Sequence, residues 1–186
     1  MSSSGTVGAD ERLRVFLGFR LPDAAAQAVA AWQHEELALE RVRIVPVENL
    51  HVTIAFLGSR PAGEVEAVAG VLREAAGGVA RPVLTPTRYR ETRSVGMLVL
   101  DDEQGRATRI AEVAHARLEG LGVYEPDARK WLPHLTVVRF RERPRLEPSI
   151  PDLGPVTMSD AAVYMSRLRP DGAQYEVLES VPLGGG

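Results

Sequence analysis

His51-Val52-Thr53-Ile54 and His134-Leu135-Thr136-Val137 are two copies of one pattern: His, apolar, Thr, apolar. They lie 83 residues apart (134 − 51), and they use two of the chain's four histidines. With Thr at eight of 186 positions, chance puts a Thr two residues after a given His only about 4% of the time. The duplication points to a site built from two equivalent halves.

Side chains alternate faces along a strand, so His51 and Thr53 share one face while Val52 and Ile54 take the other. The same holds for His134 and Thr136 against Leu135 and Val137. Each strand can bury its apolar residues in its own lobe and present an imidazole and a hydroxyl to a groove. Imidazole titrates near neutrality, so one ring can be neutral while the other is protonated. A base and an acid on opposite sides of a reacting centre suit in-line displacement at phosphorus. The threonine hydroxyls can donate to the non-bridging oxygens, where the charge sits.

Working outward, strands and helices interleave. Leu13 to Phe19 reads as a strand, and Pro22-Asp23 opens an Ala-rich helix to about Glu40. Residues 42–47 are extended, and His51 to Leu57 is a strand ending at Gly58. Pro61 to Ala76 is helical, closed by Gly77-Gly78. Val83 to Arg90 and Gly96 to Leu100 are strands, and Gln104 to Leu121 is a third helix. Leu135 to Phe140 is a strand, and 141–155 a Pro- and Arg-rich loop. Val156 to Leu168 and Tyr175 to Leu183 are closing strands around a Pro170-Asp171-Gly172 turn. Several strands follow one another without helices, which predicts an α+β fold rather than a doubly wound parallel sheet. Each half has the order strand-helix-strand, so two pseudo-symmetric lobes of mixed or antiparallel sheet are expected, helices outside and a cleft between. Residues 1–10 are small, polar and aperiodic, and are expected to form a disordered tail; 11–183 form one bilobal domain.

Composition narrows the function. Apolar residues make up 45% and charged residues 25%, ordinary for a soluble globular protein. No apolar run approaches the ~18 residues of a membrane span, and Met1-Ser2-Ser3-Ser4-Gly5 lacks the basic start of a signal peptide. A cytoplasmic protein, in all expectation a monomer, is the simplest reading. There is no cysteine, which removes thiolate chemistry. A net charge of −3 argues against a broad electrostatic grip on nucleic acid but not against holding one terminal phosphate. A metal site needs three or four ligands; neither motif contains Asp or Glu, so no metal is expected. His34 and His115 fall on helices among Ala and charged residues and read as solvated positions. No Gly-x-Ser-x-Gly or phosphate-binding Gly-Lys loop is present.

At these residues the chain resembles the two-histidine phosphoesterases, most closely the RNA 2′,3′-cyclic phosphodiesterases also known as 2′-5′ RNA ligases. Leu13-Arg14-Val15-Phe16-Leu17 is similar to the family's opening strand. Glu48-Asn49-Leu50-His51-Val52-Thr53-Ile54-Ala55-Phe56-Leu57-Gly58 is similar to its first motif, and Pro133-His134-Leu135-Thr136-Val137-Val138-Arg139 to its second. Met165 to Tyr175 resembles its closing hairpin. The resemblance implies a bilobal α+β fold whose substrate is an RNA end carrying a 2′,3′-cyclic phosphate, hydrolysed to a 2′-phosphate without metal or organic cofactor. It implies His51 as proton donor to the departing 3′ oxygen, His134 as proton acceptor from water, and Thr53 and Thr136 as phosphate ligands. Arg139 is a further candidate. Its offset of five from His134 puts it on the wrong face of a regular strand, so contact needs a bulge or the strand's end; a surface role is the alternative. For Arg141, Arg143 and Arg145 a solvated loop is expected. Small cyclic phosphates (ADP-ribose 1″,2″-cyclic phosphate or cyclic nucleotides), 2′-5′ ligation as a side activity, and a non-enzymatic nucleotide-binding module are the competing readings.

Overall fold

The computed structural model describes residues 11–170 and 172–184; the tail expected over 1–10 lies outside them. Its elements run β1 (Arg12–Arg20), α1 (Asp23–Glu36), β2 (Val42–Ile44), a 3₁₀ turn (Val47–Asn49), β3 (His51–Pro61), a second 3₁₀ turn (Ala62–Glu64) and α2 (Val65–Ala76). There follow β4 (Val83–Glu91), β5 (Val95–Asp101), α3 (Arg106–Gly120), β6 (His134–Phe140), β7 (Val156–Thr157), β8 (Asp160–Arg169) and β9 (Gly172–Pro182). The strands order as β7-β4-β5-β6-β3-β1-β8-β9, with β2 added beside β6. The fold is α+β, and each of these pairings is antiparallel rather than mixed.

The two lobes meet at a narrow seam. β1, β3, β8 and β9 form one side, and β2, β4, β5, β6 and β7 the other. The seam is β3 against β6, in register at Val52↔Leu135. The two motif strands are therefore next-door neighbours.

One face of the sheet is covered by the helices because their apolar stripes require it. In α2, Val68, Ala69, Leu72, Ala75 and Ala76 recur at helical spacing and are buried. They share one core cluster with Ile110, Ala111, Ala114 and Leu118 of α3, Val29 of α1, and Val52, Ile54, Leu135 and Val137 of the motif strands. Asp102 closes the start of α3, its Oδ2 accepting from the Thr108 N–H at 2.7 Å and hydroxyl at 2.8 Å. On the other face a small aromatic cluster of Phe16, Ala162 and Tyr164 is packed against Tyr175.

Four boundaries differ from expectation. α1 ends at Glu36, where the N–H of buried Leu37 bonds back to Gln33. β3 runs through Gly58, which takes φ +70° inside the strand, to Pro61. The start of the expected helix at Pro61 is a 3₁₀ turn. The expected strand 156–168 is two strands, because the chain crosses between lobes: β7 pairs with β4 and β8 with β1. Ser159 anchors the crossing, its N–H and hydroxyl both donating to the Arg20 carbonyl at 3.1 Å.

Candidate active site

The register Val52↔Leu135 sets His51 and Thr136 as one flanking pair and Thr53 and His134 as the other. Each imidazole faces a hydroxyl-bearing residue of the opposite lobe. Both rings are oriented the same way. His51 Nδ1–H donates to the Asn49 carbonyl at 2.7 Å, and His134 Nδ1–H donates to the Leu132 carbonyl at 2.8 Å. In each case the acceptor lies two residues upstream. A carbonyl can only accept, so each Nδ1 carries the proton and each Nε2 is left for chemistry. His51 Nε2 lies 3.1 Å from Thr53 Oγ1.

Of the candidate residues, His51, Thr53, Thr136 and Arg139 wall a cavity of about 480 Å³, together with Arg14, Phe56 and Tyr175 among others. His134 is half-buried and is not among the residues that wall it. The His51 ring rests in the aromatic cluster, 4.7 Å between centroids from Phe16, 5.3 Å from Tyr175 and 5.7 Å from Tyr164. Gly18, paired with Thr53, makes room for it: a Cβ there would come within 3.2 Å of His51 Cδ2.

Arg139 reaches the cleft because β6 is bulged. Thr136 pairs with Met97 and Val138 with Gly96, so Val137 is an extra residue. β3 does the same, since Thr53 pairs with Gly18 and Ala55 with Leu17, leaving Ile54 extra. A one-residue bulge reverses the alternation downstream. In each motif the fifth residue after the histidine, Phe56 or Arg139, thereby turns to the cleft. Over His51–Leu57 and His134–Phe140 the burial sequence is identical: half-buried, buried, half-buried, buried, buried, exposed, buried. Phe56 is 51% exposed, with the Arg14 guanidinium 5.2 Å over its ring. Phe56 and Arg14 were not anticipated; the sequence signal for both fifth positions is the pair of adjacent apolar residues, Ile54-Ala55 and Val137-Val138, that interrupts the alternation.

Burial is the largest influence on His51 and pushes its pKa down to about 4, with His134 and Arg139 adding like charge and the Asn49 carbonyl opposing. Before substrate binds, His51 is thus neutral near pH 7. A histidine with a depressed native pKa binds its proton more weakly folded than unfolded. Stability is therefore full above the ordinary pKa of 6.5 and is lost as pH falls from there toward about 4. The loss is on the order of 3 kcal/mol. Melting temperature measured between pH 7 and pH 4 should fall less steeply in His51→Gln than in wild type; parallel curves would place the titrating group elsewhere.

His34 is exposed, as expected. His115 is not a solvated residue. Its ring stacks on Tyr124 at 4.8 Å and its Nε2–H donates to the carbonyl of Ile54, the bulged residue of β3, at 2.7 Å. Arg141, Arg143 and Arg145 are exposed, as expected of a solvated loop, but the loop's backbone is tied down. Glu91, its side chain only 2% exposed, accepts from Arg143 Nε and from the backbone N–H groups of Arg145 and Leu146. Arg141 instead lines an outer cavity with Arg41, Arg43 and Arg139. Among the described residues no cluster of three His, Asp or Glu suited to a metal is present, and no helix is long and apolar enough to cross a membrane.

The antiparallel α+β sheet carries its twin His-x-Thr strands at the seam. The family model described as LigT like Phosphoesterase matches residues 19–88, which include the first motif. Over that segment the chain is similar to the LigT-like phosphoesterases. It is 23% identical over 179 residues to the RNA 2′,3′-cyclic phosphodiesterase of Methanocaldococcus jannaschii, covering 90% of this chain and 99% of that one. The crystal structure of a Thermus thermophilus protein superimposes with a TM-score of 0.77 at 28% identity, over 93% of this chain and 99% of the other. Escherichia coli LigT in complex with 3′-AMP gives 0.78 at 20% identity, over 94% and 100%.

Proposed function

We propose that the protein hydrolyses RNA 2′,3′-cyclic phosphate ends to 2′-phosphates with His51 and His134 as an acid and base pair. The observation that carries this reading is the matched pinning of both rings by the carbonyls of Asn49 and Leu132, which leaves two Nε2 atoms for one phosphate. His134 accepts a proton from water as the water oxygen bonds to phosphorus. The bond from phosphorus to O3′ breaks, and His51 Nε2 delivers a proton to O3′. Thr53, Thr136 and Arg139 hold the non-bridging oxygens.

The acid role asks His51 to be protonated when substrate is bound. The negative charge of a bound phosphate beside the ring favours that proton, against the burial and the like charge of His134 and Arg139 that disfavour it in the free protein. Substrate binding then takes up a proton. The chemistry needs no metal, because the hydroxyls and Arg139 can balance the phosphate charge. Exhaustive chelation should leave the rate unchanged; a loss restored by one divalent ion would point to a metal-assisted route.

An RNA end is favoured over a small cyclic phosphate by the cleft's basic rim. Arg43, Arg139 and Arg169 line an adjoining cavity of about 600 Å³, room for the nucleotide upstream. The test is purified protein on 2′,3′-cyclic AMP and on an oligoribonucleotide ending in the cyclic phosphate, with products separated as 2′- or 3′-phosphates. The oligonucleotide should have the higher kcat/KM and the steeper salt dependence. Equal values would return the assignment to a small-molecule phosphodiesterase, and 3′-phosphate products would overturn the acid–base geometry.

A further inference from the structure

We propose that Gln33 and His115 are positioning residues for the two halves of the cleft, each holding the backbone bulge that turns a fifth-position side chain toward substrate. This rests on the phosphodiesterase reading above. The fourth residue of each motif, Ile54 or Val137, is the bulged one, with no residue of β1 or β5 opposite it. In each lobe a helix side chain captures that residue's carbonyl. His115 Nε2 of α3 lies 2.7 Å from the Ile54 oxygen, and Gln33 Nε2 of α1 lies 2.6 Å from the Val137 oxygen. The two donors come from different helices and different residue types, yet act on equivalent atoms.

Gln33 is fully buried, at 0% exposure. Its Nε2 also donates to the Val45 carbonyl at 3.1 Å, pinning β6 to the segment after β2. Its Oε1, by contrast, has no hydrogen-bond partner among the described residues. A buried amide oxygen left unpaired is destabilising, so an apolar side chain of similar length would suit the core better. What the amide supplies is the donor. The Val137 oxygen also accepts from the Val45 N–H at 3.0 Å, so removing Gln33 loosens the bulge without stripping the carbonyl of every partner. On the other strand the neighbouring Thr53 carbonyl is held by Trp131 Nε1 at 3.0 Å. The bulge at Val137 aims Arg139, and the one at Ile54 aims Phe56.

The test compares Gln33→Met with Arg139→Gln, and His115→Phe with Phe56→Ala, by kcat/KM on 2′,3′-cyclic AMP, inhibition by inorganic phosphate, and melting temperature. Misplacement of a site group by about 1 Å costs up to ~100-fold. Gln33→Met should lose most of the factor lost by Arg139→Gln, with weaker phosphate inhibition, and the double variant should be no slower than Arg139→Gln alone. His115→Phe keeps the stack on Tyr124 and should behave likewise toward Phe56→Ala, while His115→Gln, which restores a donor, should recover the rate. Wild-type kcat/KM per folded molecule in both single variants would overturn the inference, as would losses that multiply with those of Arg139→Gln and Phe56→Ala. If Gln33→Met does not fold, the His115 half decides. A wild-type chain inert toward every cyclic phosphate would instead sink the phosphodiesterase reading, and the phosphate affinities would still decide the positioning role.

Discussion

His51→Ala and His134→Ala should each lower kcat/KM on a 2′,3′-cyclic phosphate end by about 10²–10⁴-fold, the range of general acid–base catalysis. Both histidines are half-buried rather than core residues, so both variants should fold. The two losses should differ in kind. A phosphodiester whose leaving group departs as a stable aryl anion needs no proton from the acid, so it should rescue His51→Ala and not His134→Ala. The reverse pattern would exchange the two roles, which the neutral state of His51 in the free protein makes a real alternative outcome. Wild-type rate should trace a bell in pH whose limbs belong to the pair. Near-full activity in either alanine variant would end the two-imidazole mechanism.

Thr53→Val and Thr136→Val should each cost about 1.5–3 kcal/mol of transition-state stabilisation, or roughly 10- to 100-fold in rate. Valine keeps the β-branched shape that a strand favours, and both hydroxyls face the cleft rather than the core. The effect at Thr53 should be the larger, because its Oγ1 also lies 3.1 Å from His51 Nε2 and its loss frees that ring. Melting temperatures should move little. A large drop in stability with activity per folded molecule unchanged would assign both threonines to the scaffold.

Much of this arrangement is legible from alternation alone. His51 and Thr53 alternate with Val52 and Ile54, His134 and Thr136 with Leu135 and Val137, and that suffices to place four polar groups on one face. What was hidden depends on pairing partners distant in the chain. The bulges at Ile54 and Val137 exist because β1 and β5 supply one residue fewer on the opposing strand; without them Arg139 reads as facing away. Gln33 and His115 sit in unremarkable helical stretches, and their importance comes from carbonyls 104 and 61 residues away in sequence. Gly58 reads as a terminator because glycine commonly ends a strand, whereas here its positive φ is absorbed within one. The switch of partner at Met158–Ser159 is invisible to periodicity, since both flanking segments are extended.

The seam has a mechanical consequence. Val52↔Leu135 is the backbone pairing of β3 with β6, so the two half-sites meet where the sheet is least cross-linked. Breathing of β3 against β6 spreads the two imidazoles apart. On the proposed mechanism, a phosphate held from both strands would act as a second rivet at that joint. Backbone amide exchange at Thr53 and Thr136 should therefore slow when inorganic phosphate is bound, while amides deep in α2 are unaffected, so that occupancy of the cleft and stiffness of the joint rise together.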